Sequence, residues 1–392
     1  MNPFRNKKHT ALMLVFLSGA MSFYSCSTNN YNLPVKRAIG SIIANQPPLE
    51  LGEGWTNRDA QNSDDIVQII EKSLDDRTAS SRLMKRDAHP KHHGCVKAFL
   101  QVDASALPKE QQVGVFSKNN QQEFKSFIRF SNGNPDSTKA DKDGDVRGMA
   151  IKLMNIAGAN SGSQDFLLMN SKTFFIKDSD EYLDFMKATE NTAGLLWFLA
   201  THKRTREVIL AARGMEVGNP LHIDYFSATP YKLGNKSVKY SARSCVTLNQ
   251  RDTVPKNPSP NFLREKLVNT LSEKEACFDF FVQINTNPKT MPVEDPTVEW
   301  NEKDSPYIKV ATIRIPKQSE IDSRPRMNFC ENLSFDPWHT SLPEQRPLGA
   351  INRVRLLAYD VISKKRHIHN HMPQIEPTDH EACTGKTEVL CH

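Results

Sequence analysis

From residue 95 onwards, apolar residues in this chain recur with a period of two. Val96, Ala98, Leu100 and Val102 alternate with Lys97, Phe99 and Gln101, a spacing that sends successive side chains to opposite faces of a strand. Similar short stretches occupy 124–131, 148–155, 165–170, 237–248, 277–285 and 307–316, separated by polar loops such as NGNPDSTKADKDGD at 132–145. Seven or eight short strands with no regular helix between each pair predict an antiparallel barrel or sandwich. Helical spacing interrupts them at 180–189 and at 193–214 (AGLLWFLATHKRTREVILAARG), which together read as a helical insertion. Ahead of the strands, 64–74 (DDIVQIIEKSL) predicts a short helix behind an acidic start.

The flanks differ in character. Residues 1–9 carry Arg5, Lys7 and Lys8, and an apolar run at 11–24 leads to Ser25 and Cys26. A basic start before a short apolar core predicts an export signal over 1–26, because the run is too short for a stable membrane-spanning helix. Cys26 after a small residue is a candidate bacterial lipidation site, although Phe23 stands where leucine is usual. The expectation is therefore an exported chain, periplasmic or held to a membrane by lipid at Cys26. Residues 27–75, punctuated by Pro34, Pro47 and Pro48, read as a polar arm, 76–366 as the main domain, and 367–392 as a polar, His-rich tail. Tail residues His367, His369, His371 and His380 read as solvated. A Pro-rich wrapping segment (Pro325, Pro337, Pro343, Pro347) precedes the last helix, with Trp338 as its packing anchor.

A length of 392 residues suffices for a substantial core. The net charge of +6 is spread without a long Lys/Arg run, so composition gives no case for nucleic-acid binding. Beyond Cys26 lie Cys95, Cys245, Cys277, Cys330, Cys383 and Cys391, an even set that permits disulfides in an exported chain. Their pairing is open, apart from a small loop that Cys383 and Cys391 could close. The absence of CxxC argues against a zinc ribbon.

Three constellations and one helix carry the candidate chemistry. Before the first strand stands RDAHPKHHG, with Arg86, His89, Lys91, His92 and His93. Pro90 breaks helical geometry there, so a zinc site is disfavoured against a loop histidine acting as acid and base near neutral pH. Arg129, Phe130 and Ser131 end a strand, and Asp145 to Lys152 (DVRGMAIK) begin another. Asn170 then precedes Thr173, Phe174 and Phe175. Taken singly, these are strand ends and core aromatics. In the last helix, 353–366 (RVRLLAYDVISKKR), Arg355 precedes Tyr359 by four residues and Arg366 follows by seven, which places all three on one face. A fixed positive charge within about 4–6 Å favours a phenolate. That is a hard anionic ligand suited to ferric iron. The plainer reading is an amphipathic helix with a half-buried tyrosine.

In this order the motifs resemble the haem catalase family, and specifically its compact catalase-related branch, from about Arg86 to Arg366. The resemblance implies an α+β fold, an antiparallel β-barrel haem-binding core with surrounding helices. It implies that His89, in an R-x-x-H-x-K pattern, lies above a haem b, with Ser131 orienting it and Asn170 as the distal amide. Phe174, Phe175 and Tyr182 would be haem-packing aromatics. Tyr359 would be the iron ligand, with Arg355 stabilising its phenolate, and Arg86, Arg129 and Arg366 would pair with the propionates. The D-x-R-G-x-A-x-K strand recurs as Asp145 to Lys152. Two departures stand out. Large catalases place the distal asparagine five residues before the first phenylalanine, where this chain has Met169. Ala88 replaces a bulkier residue before the histidine.

The implied activity is decomposition of hydrogen peroxide or small organic hydroperoxides. The alternatives are a lipid-hydroperoxide isomerase or lyase of allene-oxide-synthase type, and a haem-binding surface protein without turnover. A homodimer is the oligomer that the resemblance suggests.

Overall fold

The computed structural model describes residues 37–79, 81–118, 122–341 and 344–377. The signal and lipidation readings at 1–26, with Cys383, Cys391 and His380, lie outside the described residues.

Two helices come first, α1 (Ile39–Ala44) and α2 (Asn57–Thr78). A capping box starts α2: the Thr56 hydroxyl accepts from Asp59 N–H at 3.2 Å, and the Asp59 carboxylate takes the Thr56 N–H at 2.7 Å. This helix is twice the length read from 64–74. Its Ile66, Val67, Ile70 and Leu74 are buried in a cluster with Val354 and Ile362. The stretch that reads as a polar arm thus contributes a packed helix, because its apolar stripe lies among many polar residues.

The strands follow: β1 (His92–Val102), β2 (Glu123–Asn132), β3 (Arg147–Leu153) and β4 (Gln164–Met169). The helical insertion comes next as α3 (Ser179–Ala188), α4 (Thr192–Thr201) and α5 (Lys203–Gly214). Asp178 caps α3 by accepting from Glu181 N–H at 3.0 Å. The run 193–214 breaks at His202, whose backbone leaves the helical region and whose ring stacks on Phe198 at 3.8 Å. Then come β5 (Tyr225–Phe226), β6 (Tyr231–Leu233), β7 (Lys236–Ser244), α6 (Phe262–Glu273), β8 (Ala276–Ile284), β9 (Tyr307–Ile315), α7 (Arg324–Asn332), β10 (Gln345–Pro347) and α8 (Ala350–Asn370).

All strand pairs are antiparallel, and the order β7-β5-β4-β3-β2-β1-β9-β8 closes when β8 pairs with β7. This is an eight-stranded barrel, with β6 and β10 extending the sheet beside β7. The barrel, rather than a sandwich, is the outcome because the two-residue β5 bridges β4 to β7. Alternation then assigns the faces. Ile128 pairs with Ile151, Ile151 with Phe166, and Phe130 with Met149, all of them in the interior cluster. The opposite set, Arg129, Ser131, Gly148 and Met169, therefore points to the outer face of the wall.

Helices cover that outer face. α8 starts at Gly349, whose φ of 85° suits glycine and where a Cβ would meet the Val293 carbonyl at 2.5 Å. Glu53 accepts from Gly349 N–H at 3.0 Å and Glu294 from Ala350 N–H at 2.7 Å, so carboxylates satisfy the helix N-terminus. Arg353 turns away from Tyr359 to a buried ion pair with Glu53 at 2.8 Å. α8 runs four residues past Arg366, so the segment read as tail begins inside the helix. Trp338 is buried and donates to the Asn352 carbonyl at 2.8 Å. Among the described residues, no helix is long and apolar enough to cross a membrane.

Two disulfides settle four of the cysteines, Cys95–Cys330 and Cys245–Cys277. The first links β1 to α7 across 235 residues of chain. Replacing both Cys95 and Cys330 with alanine should lower the unfolding free energy by about 2–5 kcal/mol, read from denaturant midpoints.

Candidate functional site

The site is built between the outer wall of β2–β4 and the helices α3 and α8. In the ladder, Ser131 lies opposite Gly148, and Gly148 lies opposite Met169. Cross-strand partners share a face, so these three positions form a row. The His89 imidazole rests on that row. Its Nδ1 lies 3.0 Å from Ser131 Oγ, and a Cβ built on Gly148 would meet its Cε1 and Nδ1 at 2.6 Å. Gly148 is present because the ring needs that space. His89 has a left-handed backbone (φ 58°), seldom adopted outside glycine. Arg129 Nη2 donates to the His89 carbonyl at 2.8 Å and holds the turn.

Burial, with the charges of Arg129, Arg355 and Arg86, pushes the His89 imidazole down to about 3. The ring is therefore neutral at neutral pH. When Nδ1–H donates to Ser131, Nε2 is left as a proton acceptor. Because the folded value lies below the ordinary 6.5, an unfolded chain binds a proton that the folded chain refuses. Stability from this group is complete above about pH 6.5 and declines as pH falls towards about 3. For catalysis the expected result is a turnover rate without an acid limb between about pH 5 and 8. A titration near pH 6.5 in kcat/KM that disappears in His89→Gln would contradict this assignment.

Across from the histidine, Arg355 Nη2 donates to Tyr359 Oη at 3.3 Å, and its guanidinium carbon lies 5.4 Å from that ring's centre. Its Nη1 donates to Asn352 Oδ1 at 3.0 Å. Asn352 is fixed in turn by donating to the Pro230 and Leu348 carbonyls, at 3.0 and 2.8 Å. Burial opposes the Arg355 charge, but Tyr359, Tyr231 and Tyr182 outweigh it and hold its pKa above the ordinary value. Tyr182 is pushed up to about 12 by burial and by Asp87, and remains a neutral phenol. Its ring lies 6.4 Å from Phe174, which stacks at 4.7 Å on Phe175. His89, Tyr182 and Arg355 are surrounded by protein yet retain accessible surface.

The third part is a cluster of guanidinium groups. Arg86 Nη2 donates to the carbonyls of Glu331 and Leu333, at 2.9 and 2.8 Å. Arg366 Nη1 meets Glu331 Oε1 at 3.3 Å. Burial and then Arg86 push Arg129 down to about 9 and Arg366 down to about 10, while Glu331 opposes both shifts. Arg129 and Arg366 thus draw on one carboxylate, while Arg86 repels both. The Nε atoms of Arg86 and Arg129 are buried without a partner. Such a surplus fits a ligand bearing two carboxylates. With a phenol–guanidinium pair opposite a neutral imidazole, the donor set fits a haem: Tyr359 on the iron, and Arg86, Arg129 and Arg366 on the propionates.

Other motif residues have structural partners. Asn170, read as the distal amide, is committed at both ends: Oδ1 accepts from Arg147 N–H at 2.8 Å, and Nδ2 donates to the Ala212 carbonyl at 3.1 Å. The structure does not bring it to His89; strand parity brings Met169 instead. Lys91 pairs with Asp141 at 2.7 Å and Lys152 with Asp165 at 3.0 Å. His93 Nε2 bonds Asn132 at 2.9 Å, and His92 lies 3.7 Å from Glu331. Among the described residues, no three metal-binding side chains converge. Sequence reading missed Asn352, Glu331 and the role of Gly148. Only Gly148 left a signal, as the glycine of the D-x-R-G pattern.

Residues 65–196 match the family model described as catalase. Over those residues the chain is similar to the catalase family. Solved structures agree on the fold: a fungal catalase (16% identity, TM-score 0.58, covering 88% of this chain and 68% of that one) and catalase A from Saccharomyces cerevisiae (17%, 0.57, 85% and 72%). A bacterial catalase is similar at 17% identity and a TM-score of 0.56, covering 79% of this chain and 64% of that one. No curated protein matches in sequence. The matched catalase segment contains His89, Ser131 and Gly148 but ends before α8. Arg355 and Tyr359 therefore stand on their own geometry.

Proposed function

We propose that this chain binds ferric haem b and decomposes hydroperoxides as an oxidoreductase of catalase or peroxidase type. One observation carries the reading. A neutral imidazole seated on Gly148 and bonded to Ser131 lies within reach of the charges of Arg129, Arg355 and Arg86, and Arg355 in turn donates to Tyr359. When bound, the haem supplies the redox chemistry that cleaves the O–O bond. The protein's part is positioning and proton movement. Arg355 holds the Tyr359 hydroxyl in place, and that oxygen would be the ligand to the iron. His89 Nε2 takes the hydroperoxide's proton and returns it to the departing oxygen, as base and then acid. Ser131 holds the ring's tautomer and angle, while Phe174, Phe175 and Tyr182 keep the site apolar.

A second reading rests on Met169. With Met169, a thioether rather than an amide, paired to the Gly148 on which His89 rests, the site suits an apolar hydroperoxide, which favours a lipid-hydroperoxide isomerase or lyase over disposal of hydrogen peroxide. A compact-branch member exported to a periplasm or tethered at Cys26, and paired as a homodimer, completes the proposal. The deciding test supplies the haem-loaded chain with hydrogen peroxide, and separately with a fatty-acid hydroperoxide. Oxygen release from hydrogen peroxide supports the first reading. Isomerised lipid product without oxygen supports the second. A haem spectrum with neither activity rejects both and leaves a haem-binding surface protein.

A further inference from the structure

The outer edge of α4 has no use in the site described above. This helix reads TAGLLWFLAT and holds no charged residue. One edge is seated: Phe198 is buried, 5.5 Å from Phe185. On the other, Leu196 is 64% exposed and Trp197 73% exposed, with Ala193 and Ala200 exposed one turn to either side. A surface helix ordinarily sets a polar stripe against its apolar one. α4 presents two apolar stripes and buries one.

What surrounds this edge indicates its occupant. The next helix, α5, carries Lys203, Arg204, Arg206 and Arg213 against Glu207 alone. Lys203 lies 3.8 Å from Glu207 and Arg204 3.7 Å from Asp295. The first is an exposed pair that water screens strongly, whereas in the second only the arginine is exposed. An uncharged edge of Trp and Leu running into a basic segment is the composition of helices that lie in the headgroup boundary of anionic bilayers. Chain length adds a second argument. Ten residues separate Cys26 from Arg37, a reach of at most about 40 Å. A lipid on that cysteine would hold the folded body close to a membrane, at high effective concentration.

We propose that α4 is a membrane-docking element, whose Leu196 and Trp197 insert at the headgroup–acyl boundary of a bilayer containing anionic lipid. The basic residues of α5 supply the long-range attraction. The proposal is independent of what the site described above does.

The test uses the full chain carrying Cys26→Ala, so that no lipid is attached, with phosphatidylcholine–phosphatidylglycerol vesicles brominated along their acyl chains. Of the four tryptophans, Trp197 is the strongly exposed one, with Trp300 and Trp338 buried. The vesicles should quench wild-type tryptophan fluorescence, and Trp197→Phe should remove that quenching. Leu196→Ser should raise the lipid concentration for half-quenching about tenfold, with an unchanged circular-dichroism spectrum. Absent quenching, quenching that survives Trp197→Phe, or an unchanged half-point in Leu196→Ser would each overturn the proposal. So would a lipid-free dimer that Trp197→Ser dissociates, since a second copy would then be the occupant.

Discussion

Tyr359→Phe should give a folded chain that no longer shows the wild-type ferric haem band. The substitution removes one oxygen and keeps the ring, so the packing of α8 is retained. What it deletes is the atom that Arg355 contacts at 3.3 Å and the only part of this side chain able to bind iron. Loss of a partner outside the ligand shell typically weakens metal sites about ten- to a hundredfold, and loss of the ligand itself should cost at least that. Arg355→Gln should fall in the smaller range, because Tyr359 would remain without its charge partner. Asn352→Ala should act in the same direction more weakly, by freeing the guanidinium. Haem titration followed by absorbance reads all three. A Tyr359→Phe chain with the same haem content and spectrum would remove the basis for the proposed function.

Gly148→Ala should lower turnover nearly as far as His89→Gln, although alanine has no chemistry of its own. Loss of a general acid–base group costs about 10²–10⁴-fold, and His89→Gln sets that scale here. In Gly148→Ala the new methyl would sit 2.6 Å from two ring atoms and 2.9 Å from Ser131 Oγ. The imidazole must then leave the wall or lose its serine bond. The face of α8 that carries Tyr359 is untouched, so the haem spectrum expected of the proposed function should persist. Because both changes act on one ring, their effects should not add: the double variant should be no slower than His89→Gln. A Gly148→Ala protein with wild-type turnover would mean that the imidazole works from another position.

The strands were legible because period-two alternation survives in every long strand of the wall. Closure of the barrel was not, since Tyr225–Phe226 is too short to show a period. The site divides in the same way. His89, Ser131, Arg355 and Tyr359 lie in local patterns whose spacing is the signal. Glu331 lies in RPRMNFCEN, a polar segment with no periodic mark, and only the tertiary structure carries it to Arg366. The choice between Met169 and Asn170 depended on pairing register rather than on distance from Phe174. One step along a strand exchanges faces, so counting residues back from the aromatics points to neither with certainty, whereas the Gly148–Met169 pair decides it.

The Cys95–Cys330 bond sits one residue from Glu331, on the helix whose carbonyls hold Arg86. Its consequence concerns the order of maturation. Until those sulfurs join, nothing covalent keeps α7, with the Glu331 carboxylate that acts on Arg129 and Arg366, against β1. A chain oxidised first offers its ligand a finished seat. One loaded first must recruit α7 with the ligand's own charge. A compartment that keeps thiols reduced would therefore yield the same polypeptide with a looser grip on whatever it carries.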